Sequence, residues 1–215
     1  MNRRFGVVAT LLVSVLAFAG GAMLYSGSVA GEPAPKAVAG PVDSLVRPHA
    51  PVIGPKNAPV TIVEFFDPSC ESCRAFYPEV KKILAAHPKD VRLVMRYLPL
   101  HPGSAEAIVL LEAARVQGKL EPVMAALLEA QPAWHDGEMD GAWAAAEKAG
   151  LDVKKARAMP TAQAMAWMEQ DIADARALGV RGTPTFFVNG APLAEFSPGQ
   201  LEAQVRAAVV TRGKR

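Results

Sequence analysis

Two cysteines carry the chemistry open to this chain. Cys70 and Cys73 frame the tetrapeptide Cys70-Glu71-Ser72-Cys73, and the sequence contains no other thiol. An internal disulfide can therefore join only these two, closing a loop too short to stabilise much through chain entropy. The pair reads as reactive rather than structural. At a helix N-terminus a Cys70 thiolate would meet outward-pointing N–H groups and the positive end of the helix dipole. Cys73, one turn later on the same face, is placed to attack a mixed disulfide formed at Cys70. That is the machinery of thiol–disulfide exchange. The same two sulfurs are soft ligands for copper(I), so a metal chaperone is the second reading. A closed zinc site is disfavoured: it needs four ligands, a second CxxC is missing, and His87, His101 and His135 lie on separate elements.

The elements that must position the pair follow from pattern. Val60 to Phe66 is a β-branched and aromatic run, the composition of a buried strand, and Glu64 inside it is expected to be buried. Asp67-Pro68-Ser69 breaks the strand, and a helix is expected from the CxxC to about His87. Val91 to Leu98 reads as a second strand ended by Pro99, which makes a βαβ unit with a parallel pair. From Gly103 to Leu178 the chain is Ala-rich and helical in pattern, giving four or five helices in one inserted subdomain. Met159, Met165, Met168, Trp143 and Trp167 fall on helical patterns and are expected in its core, as is Trp134. His101 reads as a loop or capping residue. Thr185 to Val188 is a strand, Asn189-Gly190 a two-residue turn, and Ala191 to Phe196 the returning strand. Ser197 and Pro198 then suit the N-cap and first position of a last helix, Gln200 to Val210.

Ahead of this lie two further segments. Arg3 and Arg4 precede an apolar run from Phe5 to Tyr25, the plan of an export signal, and Ser28-Val29-Ala30 offers small residues for cleavage. Residues 1–30 read equally as a cleaved signal peptide or a retained transmembrane anchor; either leaves the bulk of the chain in the periplasm or on the extracytoplasmic face. Residues 31–57, rich in Pro, Gly and Ala, read as a flexible tether, and 58–215 as the folded domain. The 215 residues are 51% hydrophobic with a net charge of +2, the signs interspersed. No basic block points to nucleic acid.

The CxxC helix after a buried strand, together with Gly182-Thr183-Pro184-Thr185-Phe186-Phe187-Val188-Asn189-Gly190, resembles the thioredoxin superfamily. The helical insertion, about 103–178, makes the chain similar to its DsbA-like branch, and the resemblance covers nearly everything from Ala58 onward. It implies an α/β thioredoxin-like fold acting as a thiol–disulfide oxidoreductase without a cofactor. Cys70 then matches the nucleophilic cysteine and Cys73 the resolving one. Thr183-Pro184 matches a cis-proline loop whose backbone pairs with substrate. Glu64 matches a buried acid that exchanges a proton with the resolving cysteine, and Pro78 a proline within the active-site helix. Glu71-Ser72 departs from the strongest oxidants, which carry a histidine there. Glu71 is expected to raise the Cys70 pKa by repulsion, Ser72 to offset this with a hydrogen bond, and the potential to be milder. The implied partners are protein thiols and disulfides and a resetting membrane redox protein. No dimerisation domain precedes the catalytic one, so a monomer is expected. A glutathione-dependent isomerase or transferase of the same fold is a further alternative, against which Cys73 speaks.

Overall fold

The computed structural model describes residues 42–212. A five-stranded sheet runs in the order β1-β3-β2-β4-β5. Its strands are β1 (Val52–Ile53), β2 (Val60–Phe66), β3 (Val91–Tyr97), β4 (Thr185–Val188) and β5 (Ala191–Pro192). β2 and β3 are parallel, from Val60 opposite Val91 to Phe66 opposite Tyr97, while the other pairings are antiparallel. Helix α1 (Val42–Leu45) precedes the sheet, α2 (Glu71–Ala86) crosses from β2 to β3 with Pro78 inside it, and α8 (Pro198–Arg212) ends the described chain. Between β3 and β4 lie α3 (Ser104–Val116), α4 (Leu120–Ala130), a 3-10 turn (Gln131–Ala133), α5 (Asp140–Lys148), α6 (Val153–Ala158) and α7 (Ala162–Ala177). These are the five helices of the expected insertion.

The central strands β2, β3 and β4 are buried on both faces, as their near-continuous apolar runs require. Side chains alternate across a strand. Val60, Ile62 and Phe66 therefore join the core with Cys70, Cys73, Phe76 and Val80 of the α2 side, while Val63 and Phe65 pack on the opposite face with Leu45, Leu178 and Phe187. Most of the insertion's aromatic and sulfur residues are inside, Trp134, Trp143 and Met168 among them; Met165 is 38% exposed.

Two expectations need correction. The stretch read as a tether is folded from residue 42 onward: Leu45, Ala50 and Ile53 are buried, and β1 pairs with β3. Buried Arg96 holds this segment, donating to the Ser44 and Leu45 carbonyls and pairing with Asp171 and Asp174 of α7. Residues 1–41, including the signal or anchor segment, lie outside the described residues; no described helix is long and apolar enough to cross a membrane. The returning strand β5 stops at Pro192 rather than Phe196, since proline has no N–H to donate and the chain leaves the sheet after one more bond, Leu193 N to Phe186 O. Asn189 and Gly190 form the connecting turn with positive φ of 49° and 85°, which their residue types tolerate.

Candidate active site

The strand–turn–helix from Glu64 to Cys73 builds the site. Glu64 shares strand parity with Ile62 and Phe66, so it sits on the α2 side of the sheet, 4% exposed. Asp67-Pro68-Ser69 reverses the chain, and Cys70 becomes the N-cap of α2 in extended conformation, its carbonyl accepting the Arg74 N–H at 3.1 Å. Cys70 is 6% exposed and Cys73 fully buried, both as free thiols. Cys70 Sγ donates to the Thr183 carbonyl at 3.2 Å, which brings the second half of the fold onto the first. The Thr183–Pro184 bond is cis.

The electrostatics divide the two sulfurs. A hydrogen bond from the Cys73 side chain, aided by the Thr183 side chain and the Cys73 and Ser72 N–H groups, outweighs burial and lowers the Cys70 pKa to about 5. Burial, the bond to Cys70 and the charge of Glu64 together push Cys73 far above the thiol range, with only the Asp67 N–H, 3.5 Å from its sulfur, pulling the other way. Burial, and secondarily the Cys70 charge, raises Glu64 to about 8. The result is one ready thiolate, one held thiol and one carboxyl that titrates near neutrality.

Glu71 opens α2 next to Cys70 and is exposed, and the groups that shift Cys70 do not include it. The Ser72 contribution to Cys70 comes from its backbone N–H.

Three residues of the site were not foreseen. Asp67, fully buried, accepts from Ser69 N at 2.9 Å, Ser104 Oγ at 2.5 Å and Leu100 N at 2.8 Å, and pairs with His101 Nδ1 at 2.6 Å. It ties the loop after β3 to the loop before Cys70. Its signal was present: aspartate before proline at a strand end is a turn former that bonds to the backbone two residues on. Ser104 joins through the same carboxylate. Gln131, fully buried, donates to the Pro68 and Cys70 carbonyls. No local pattern marks it. Gly103 permits the close approach of the loop after β3 to the segment before α5, since with φ of 73° an added Cβ would stand 2.8 Å from Met139 Sδ.

A family model described as thioredoxin matches residues 47–207. The chain belongs to the thioredoxin family. A solved thioredoxin-like oxidoreductase from Silicibacter pomeroyi DSS-3 is 36% identical, with a TM-score of 0.67 covering 80% of this chain and 98% of that one. The thiol–disulfide exchange protein alpha-DsbA2 from Wolbachia pipientis, 21% identical over 77% of this chain and 90% of its own, has a TM-score of 0.66 and shares the fold. Both neighbours share the thioredoxin-like fold of this chain. Among curated proteins, the Na(+)/H(+) antiporter NhaA 3 of Salinispora tropica is 36% identical over 143 residues, 65% of this chain and 21% of the antiporter. The chain spans between 21% and 30% of the length of the curated relatives it matches. The likeness is thus to a domain-sized part of those antiporters.

Proposed function

We propose that this protein is an exported thiol–disulfide oxidoreductase acting on protein substrates through Cys70 and Cys73. The observation that carries the reading is the arrangement of the sulfurs: Cys70 at the helix N-cap with Sγ 3.2 Å from the Thr183 carbonyl, Cys73 fully buried one turn on, and Glu64 buried on the same side of the sheet. In the oxidising direction a substrate thiolate attacks Cys70 Sγ of the disulfide, and Cys73 leaves with the electron pair and takes a proton from Glu64. A second substrate thiolate then attacks the substrate sulfur of the mixed disulfide. It releases the Cys70 thiolate and leaves the substrate disulfide-bonded. In the reducing direction the Cys70 thiolate attacks a substrate disulfide, and Cys73, losing its proton to Glu64, displaces the substrate. Thr183, whose carbonyl already accepts from Cys70 Sγ, presents the backbone against which an extended substrate segment would pair.

Stabilising the thiolate stabilises the reduced protein and makes the disulfide more oxidising. The lowering of Cys70 to about 5 therefore makes the disulfide more oxidising than an unperturbed thiol pair would give. Export follows from the charged and apolar N-terminal segment, and resetting calls for a membrane redox partner.

Equilibration with glutathione buffers tests the reading. Wild-type protein reaches a reversible Cys70–Cys73 disulfide, and Cys70→Ser loses exchange activity. Full activity in Cys70→Ser would refute the role. Stoichiometric copper(I) binding without reversible disulfide formation would install the metal-chaperone reading instead.

A further inference from the structure

The insertion sends one side chain into the redox loop. Gln131 begins the 3-10 turn after α4, is fully buried, and donates through Nε2 to Pro68 O at 2.8 Å and Cys70 O at 3.0 Å. Both protons of its amide are thus spent on carbonyls flanking the reactive sulfur. Its own backbone is fixed, since Gln131 O accepts from Trp134 N at 3.0 Å and His135 N at 2.9 Å. Trp134, itself fully buried, is anchored by Nε1 to Leu127 O at 3.0 Å. The amide oxygen, Oε1, is buried with no partner among the described residues. An orphaned acceptor is costly, and an apolar side chain of similar length would avoid that cost. Packing alone therefore does not account for an amide at this position; its donors do.

We propose that Gln131 is a positioning residue of the redox site, holding the Pro68 and Cys70 carbonyls so that the first-turn N–H groups of α2 converge on Cys70 Sγ. The inference rests on the redox reading of Cys70 and Cys73. Without the amide, Pro68 O loses its donor and Cys70 O keeps only the Arg74 N–H, so the Pro68 peptide is free to turn and the negative ends of the two carbonyls are no longer drawn away from the sulfur. The insertion is then a working part of the site.

The test uses the full chain and two substitutions, Gln131→Met and Gln131→Glu. The pH dependence of Cys70 alkylation gives its thiolate midpoint, and glutathione equilibration gives the disulfide's oxidising strength. In Gln131→Met the midpoint rises by about one pH unit and the equilibrium moves about tenfold toward a less oxidising disulfide. Gln131→Glu, whose carboxylate offers acceptors to two carbonyls, shifts both further. Leu110→Ala, a cavity in buried α3 that touches neither carbonyl, lowers stability and leaves the midpoint in place. An unchanged midpoint in Gln131→Met, or an equal shift in Leu110→Ala, overturns the inference. If Gln131→Met does not fold, the wild-type side-chain amide is followed by NMR instead. Slow proton exchange and signals that move as Cys70 titrates support the role, and fast, static signals defeat it. Absence of reversible exchange in the wild type would fell the redox reading itself. Wild-type exchange with an indifferent Gln131→Met fells this inference alone.

Discussion

The two faces of the central sheet bury charge in opposite ways. On the α2 face, Glu64 is buried with no ion pair among the described residues, and burial raises it to about 8. On the other face, Arg96 is fully buried but meets Asp171 Oδ1 at 2.8 Å and Asp174 Oδ2 at 2.5 Å. His49 and Tyr97 N complete Asp171, and Arg47 completes Asp174. Burial opposes ionisation of Asp174, yet the Arg47 and Arg96 guanidinium groups outweigh it and hold the carboxyl down to about 2. A buried acid without a cation becomes a proton carrier. A buried acid with two cations becomes a fastener. One face can run chemistry while the other holds the framework.

The largest expected effect comes from breaking the fastener. Arg96→Met leaves Asp171 and Asp174 buried without their shared cation and costs about 3–5 kcal/mol in urea unfolding. The Cys70 midpoint should stay near about 5, and a shift would show that the faces are not independent. Next is Glu64→Gln. The folded protein keeps Glu64 protonated where the unfolded chain releases the proton, so its cost to stability grows as pH rises from 4.5 and is complete above about 8. Glu64→Gln therefore stabilises by about 2 kcal/mol or more in alkaline solution and by nothing in acid. It also slows resolution of the mixed disulfide by roughly 100-fold, read by quenched-flow alkylation.

Asp174→Asn has the opposite pH signature. Its folded pKa is depressed, so its contribution is present above 3.8 and lost as pH falls through about 2. The variant loses about 1–2 kcal/mol at neutral pH, and its acid unfolding profile flattens in that window. The smallest effect is Thr183→Val, which removes a buried hydroxyl that favours the Cys70 thiolate. The alkylation midpoint rises by about half a pH unit with stability nearly unchanged.

What the chain disclosed in advance was whatever depends on neighbours in sequence or on strand parity. The CxxC at a helix start, the apolar run around Glu64, and Thr183-Pro184 ahead of the strand–Asn-Gly–strand pattern are all local signals. Glu71 neighbours Cys70 along the chain, yet its side chain is exposed, and sequence adjacency does not disclose that. The start of the domain was hidden because Leu45, Ala50 and Ile53 lie in apolar pieces of one or two residues within a proline-rich stretch, with no periodicity to announce burial. Gln131 lies 61 residues from Cys70, and a contact that exists only after the insertion folds back has no spacing to betray it.

The ends of the sheet set a limit on how other chains can approach. β1 and β5 are two residues each, and β5 finishes on a proline that offers no N–H outward. Edges this short make poor templates for strand addition. On the proposed function the clients are chains with exposed backbone. With edge strands this short, such a client would find few berths on the sheet margin and would be left with the backbone at Thr183, beside the sulfur. Edge protection would then double as client selection.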